Sequence, residues 1–138
     1  MRAFIDTSSL FKKYVDEKGA DTFNLLLQSI TEIIIAPITL LEVNSTIERR
    51  LREKSLNSSD ADWIEKEFMF DLNFYGVVEF NENLASECIR VIRKYQMKVL
   101  DSIQLSSAIV AKPDIFITSD KQLYKIASKE LNHIELVG

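Results

Sequence analysis

Four carboxylates stand where this chain passes from a short apolar run into a helix, or where a helix begins. Asp6 follows Ala3-Phe4-Ile5, and Asp120 follows Ile115-Phe116-Ile117 in FITSDKQL. Glu42 lies in ITLLEVNSTI just after Ile33-Ile34-Ile35, and Asp101 opens LDSIQLSSA. Each has a structural explanation of its own. Asp6 and Asp101 suit helix N-caps, and Asp101 with Gln104 resembles a capping box. Ser119 with Gln122 makes a similar box, leaving Asp120 in a first turn where the helix dipole favours an acid. Glu42 fits its surroundings least, between Leu40, Leu41 and Val43. Gathered in one cleft, the four would repel and raise one another's pKa values, and a divalent cation relieves that repulsion. Oxygen-only donors select hard cations, Mg²⁺ or Mn²⁺. Such an ion acidifies a bound water, orients a phosphodiester and neutralises charge on phosphoryl oxygens. With Thr7 and Ser8 capping the helix that follows Asp6, its carboxylate would be left free for the ion.

Other chemistries find little material. Cys88 is the only cysteine, so no intramolecular disulfide forms, which fits a reducing, cytoplasmic setting. His133 is the only histidine and lies near the C-terminus, which disfavours multi-His metal sites and Ser-His-acid triads. Glycine occurs only at Gly19, Gly76 and Gly138, so no phosphate-cradling glycine loop can be written. Net charge is −4, with 17 Lys and Arg against 21 Asp and Glu. Phosphate contacts favour Lys and Arg, yet setting aside four acids for a metal leaves the rest in balance, so local clustering decides. The strongest apolar stretch, residues 33–41, is broken by Pro37 and Thr39 and falls short of the roughly 18 residues that span a bilayer. Asp6 also interrupts the place of a secretory h-region, so no membrane association is expected.

The elements that must carry these acids follow from hydrophobic periodicity. Short apolar runs predict strands at 3–5, 33–35, 76–80, 115–117 and 133–137. Helical spacing predicts helices over 8–17, 20–30, 38–54, 61–75, 81–97, 101–112 and 119–129. The third helix is expected to bury Leu40, Leu41, Val43, Ile47 and Leu51. The fourth, capped by Ser59 or Asp60, carries Trp63, Phe68, Phe70, Phe74 and Tyr75, more apolar surface than one buried stripe requires. It reads either as core or as a surface for a partner chain. Strands alternating with helices argue for one α/β domain over 1–138, with a parallel sheet and helices on both faces. Asp6 and Asp120 then share the carboxyl edge of that sheet, where ligands bind.

The series FIDTSSLFKKYVDE, ITLLEVNSTI, VLDSIQLSSAI and IFITSDKQL resembles the PIN-domain ribonucleases, in particular the VapC-type toxins of toxin–antitoxin pairs, over essentially the whole chain. The resemblance implies a PIN-like three-layer fold with a mostly parallel five-stranded sheet, strand one lying beside strand four at its centre. It implies a Mg²⁺- or Mn²⁺-dependent endoribonuclease hydrolysing RNA phosphodiester bonds, blocked by a cognate antitoxin protein. By motif position the acidic ligands fall on Asp6, Glu42, Asp101 and Asp120, with hydroxyl support from Thr7 and from Thr118 or Ser119. Gln104 stands where the family often has His. Lys12, Lys13, Arg49 and Lys121 are candidate RNA phosphate contacts, with Arg50 and Arg52 beside Arg49. A homodimer through residues 40–75 is a further expectation. Three alternatives stay open. One is an inactive PIN-like module that only binds RNA or protein. Another is a phosphoacceptor domain, which would want an acid pair after strand one and an Asp ending strand three, where this chain has Asp6-Thr7 and Asn81. The last is a DNA-directed nuclease, for which the short chain lacks room for a threading arch.

Overall fold

Residue alternation along the central strands explains the layering seen in the computed structural model, which describes residues 1–138. Successive side chains of a strand point to opposite faces. In β1 (Arg2–Ile5), Ala3 and Ile5 enter one core, while Phe4 enters the other. In β4 (Ile115–Thr118), Ile115 and Ile117 join the first core and Phe116 the second. Phe4 and Phe116 are fully buried, with ring centroids 5.7 Å apart across adjacent strands. Each such side chain contributes roughly 1.5–3 kcal/mol by burial. Both faces are covered, which is why these strands read as apolar runs up to Thr118, the buried hydroxyl at the end of β4.

Five parallel strands form the sheet in the order β3-β2-β1-β4-β5. The others are β2 (Glu32–Ile35), β3 (Gly76–Val77) and β5 (Ile134–Leu136). β1 lies at the centre, with Phe4 beside both Ile34 of β2 and Phe116 of β4. One face is covered by α1 (Thr7–Leu10), α2 (Ala20–Leu27), α3 (Thr39–Arg52) and α4 (Ser58–Leu72), through residues such as Leu10, Phe23, Val43 and Phe68. The other is covered by α5 (Glu82–Tyr95), α6 (Val99–Ala111) and α7 (Lys121–Ala127), through Leu84, Val91, Leu105 and Leu123. This is the expected three-layer α/β fold, and no helix is long and apolar enough to cross a membrane.

Several local expectations need correction. The helix expected over 8–17 is only α1, followed by a 3-10 turn at Phe11–Lys13. Lys13 Nζ and the Tyr14 hydroxyl both reach Asp71 Oδ2 of α4, at 2.5 and 2.8 Å, and the tighter turn places them there. β3 stops at Val77 because it is an edge strand. One further bond, Val78 N to Ile35 O at 3.0 Å, exhausts its partner, and Glu79 and Phe80 are exposed. Leu41 is 69% exposed, since Leu40, Val43, Ile47 and Leu51 already complete the buried stripe of α3. The α4 cap is Asn57, which accepts from Asp60 N at 2.7 Å, and neither Ser59 nor Asp60 fills that role.

Candidate active site

β1 delivers Asp6 to the carboxyl edge of the sheet at its centre, where the residue is 3% exposed. Its Oδ1 accepts from Ser9 N at 2.9 Å and Ser8 Oγ at 3.0 Å, which caps α1. Its Oδ2 accepts from Thr118 Oγ1 of the neighbouring β4 at 2.5 Å. Asp6 is therefore itself the cap, against the expectation that Thr7 and Ser8 would relieve it of that role. Burial pushes its pKa up, opposed by the hydrogen bonds from Thr118, Ser9 and Ser8.

Thr7 turns the other way, toward α3. Its Oγ1 donates to Glu42 Oε1 at 2.8 Å. Gln104, from α6, donates through Nε2 to the same Glu42 oxygen at 2.7 Å and lies 3.0 Å from Thr7 Oγ1. The Thr39 hydroxyl closes this buried knot 3.1 Å from that of Thr7. Gln104 Oε1 is buried with no partner. Sequence spacing left Thr39 and Gln104 without a role here. The readable signal is Gln104 itself, a polar side chain three residues after Asp101 on a helix whose residues 102–108 are all buried.

α6 begins at Val99 with Lys98 as its cap, so Asp101 is the third helical residue and the box expected with Gln104 does not form. Asp101 makes no side-chain hydrogen bond. Its pKa is raised by burial, then by the charge of Asp120, with Lys98 opposing and Glu42 adding to the rise. Acids from α3, α6 and the β4–α7 junction thus feel one another. Asp120, not Ser119, caps α7: its Oδ1 accepts from Gln122 N at 2.8 Å and Leu123 N at 3.0 Å. The Ser119 hydroxyl instead lies 2.8 Å from Ser9 Oγ and touches no carboxylate.

Each acid that supports the fold does so unevenly. Glu42 and Asp120 engage one oxygen each and leave the other unbonded, Asp101 leaves both, and Asp6 Oδ2 carries only the Thr118 bond. None of the four takes part in an ion pair. That donor set, all oxygen and without a cationic partner, fits a hard divalent cation in its chemistry. No three His, Cys, Asp or Glu side chains stand close enough together to hold an ion in this arrangement.

The basic candidates divide. Lys12 is 8% exposed and pairs with Glu17 at 3.8 Å while lining the same cavity as Glu42, and Lys13 is held by Asp71. Arg50 pairs with Glu17 at 3.0 Å and lies over the Phe11 ring. Arg49 is exposed, pairs with Glu53 at 3.8 Å and borders a cavity of about 280 Å³ shared with Thr7, Ser8, Lys12 and Glu42. Lys121 is exposed and unpaired at the start of α7.

A protein-family model described as PIN domain matches residues 3–129. Comparison with curated proteins finds no match. Among solved structures, VapBC2 from Rickettsia felis bound to a DNA fragment from their promoter superposes with a TM-score of 0.70 at 14% identity, covering 100% of both chains. A toxin–antitoxin complex from Klebsiella pneumoniae gives 0.65 at 18% identity over 88% of this chain and 89% of the other. PAE2754 from Pyrobaculum aerophilum gives 0.70 at 16% identity over 97% of this chain and 83% of the other. At these identities the likeness is one of fold.

Proposed function

The chain belongs to the PIN-domain family, and on that premise we propose that it is a Mg²⁺- or Mn²⁺-dependent endoribonuclease, the toxin of a cytoplasmic toxin–antitoxin pair. One observation carries this reading. Four carboxylates stand at one sheet edge with no cation paired to them, and all but Asp6 have an unengaged oxygen, a costly arrangement unless something positive binds there. Asp6, Glu42 and Asp101 would hold the ion, and Asp120 would complete the cluster. A bound divalent cation supplies an acidified water and neutralises charge on the phosphodiester. The chain's own residues do the positioning. Thr118, Ser8 and Ser9 fix Asp6, while Thr7 and Gln104 fix Glu42. Lys121, which is unpaired, and Arg49, whose one pair is the solvent-exposed contact with Glu53 at 3.8 Å, are the expected cations placed to meet RNA phosphates.

The same reading gives the protein a cognate antitoxin. One of the superposed structures is described as a toxin–antitoxin complex. On this chain α4 and the turn that follows it expose Trp63, Phe70 and Phe74 at 53%, 63% and 71%, a surface suited to a partner or to a second copy in a homodimer. A monomer by light scattering at working concentration would count against the dimer.

A second reading, a PIN-like module that binds RNA or protein without cutting, is favoured by the absence of a formed three-acid group. Purified protein with Mn²⁺ and single-stranded RNA separates the two. Asp6→Asn is expected to lower cleavage by about 100-fold or more, as loss of a group stabilising transition-state charge does. Equal cutting by both proteins rejects the nuclease.

A further inference from the structure

A cavity of about 370 Å³ opens beside Asp101 and Asp120, between the α5–α6 turn and α7. We propose that it takes one unpaired nucleobase of the RNA strand, next to the phosphate held at the acids. The assignment rests on the nuclease reading and names what that site recognises.

The lining has two chemistries. Leu123 and Ile126 are buried, and Tyr95 and Met97 are half-buried, which gives the cavity an apolar surface. Gln96 and Gln122 are exposed, and neither side-chain amide makes a hydrogen bond within the protein. Lys98 is exposed and belongs to no ion pair, although it stands close enough to Asp101 to lower its pKa. A base has apolar faces and a rim of donors and acceptors, and splayed-out bases are recognised by stacking plus edge hydrogen bonds. A primary amide offers a donor and an acceptor side by side, as the edge of a base does. A phosphate would find two carboxylates and an apolar floor there, with Lys98 alone in its favour. A folded partner would find a recess of the size of a small ligand.

The test is cleavage of a pool of unstructured RNAs with a randomised window, in Mn²⁺, with cut sites mapped by sequencing. Wild type is expected to prefer one base at one position beside the cut. Gln96→Ala/Gln122→Ala, both changes exposed and checked by thermal melting, is expected to lose that preference by about tenfold at that position alone, the scale of one bidentate amide contact. A wild-type protein without base preference, or a double variant with the wild-type profile, overturns the assignment. The nuclease reading fails separately, when Asp6→Asn cuts as well as wild type. A second arm needs no cleavage: anisotropy of the four homo-oligoribonucleotides on Asp6→Asn protein with Mn²⁺. One base binding more tightly, with the difference gone once Gln96 and Gln122 are Ala, supports the pocket; equal affinities for all four overturn it.

Discussion

Asp6 is held by hydrogen bonds from Ser8, Ser9 and Thr118 in a place where burial disfavours its charge. Its structural and chemical roles do not compete, because a carboxylate has two oxygens and Oδ1 alone makes the cap. Asp120 repeats the arrangement at α7. That is why capping signals and ligand signals were both readable at the same residues: strand ends and helix starts coincide at this edge. What spacing could not reveal was the support behind them, because Gln104 of α6 meets Thr39 and Glu42 of α3 only when the chain brings the two helices together at the edge. Gln104→Met is nearly isosteric and removes the donor to Glu42 Oε1 as well as the unpartnered Oε1. Mn²⁺ affinity by calorimetry is expected to fall about 10- to 100-fold, the usual effect of losing a group that orients a ligand. The melting temperature should fall only modestly, since the bond lost to the Glu42 carboxylate, about 1.5–3 kcal/mol, is partly offset by removal of a buried unpaired oxygen. Unchanged affinity would take Gln104 out of the site's support.

The elements were legible where side-chain period decides them and obscure where tertiary contacts do. The five strands stood out as short apolar runs because both faces of the sheet are covered. The ends did not: the first helix shortens so that Lys13 and Tyr14 can meet Asp71, and α6 starts two residues ahead of Asp101. Another invisible contact fixes α5 against the segment after α7. Glu130 accepts from Arg90 Nη2 at 2.6 Å, from Lys94 Nζ at 3.3 Å and from the Tyr95 hydroxyl. These bonds, Arg90 foremost, hold its pKa down at about 2 against an ordinary 4.5. A carboxyl with a depressed folded pKa adds stability above its unfolded pKa, and loses it as pH falls through the folded one. Glu130→Gln should therefore melt below wild type at neutral pH, with the gap constant down to about pH 4.5 and closing toward about pH 2. A gap that does not change with pH would mean that the ionised clamp adds nothing.

At the scale of the whole molecule, a chain with net charge −4 is asked to hold a polyanion. General attraction cannot do this, so binding must come from the cation at the acids and from a few local side chains. Four basic residues had the right sequence positions, but the fold commits the buried Lys12 to Glu17 and Lys13 to Asp71, leaving Lys121 and Arg49, whose pair with Glu53 lies open to solvent. Counterion release turns that difference into a measurable slope, about −0.7 in log binding constant per log salt for each phosphate neutralised on a single strand. Two contacts predict a slope of about −1.4, and all four would give about −2.8. Binding of single-stranded RNA to Asp6→Asn protein, titrated with KCl at fixed Mn²⁺, reads it directly. Arg49→Ala should bring the slope to about −0.7 and weaken binding alike for every sequence, as a phosphate contact does. Lys12→Ala should leave the slope where it was and lower the melting temperature, because that side chain is packed and paired inside the fold. A slope near −2.8 for the Asp6→Asn protein with all four basic residues intact would mean that Lys12 and Lys13 leave their acids when RNA arrives, and that the edge reorganises around its substrate.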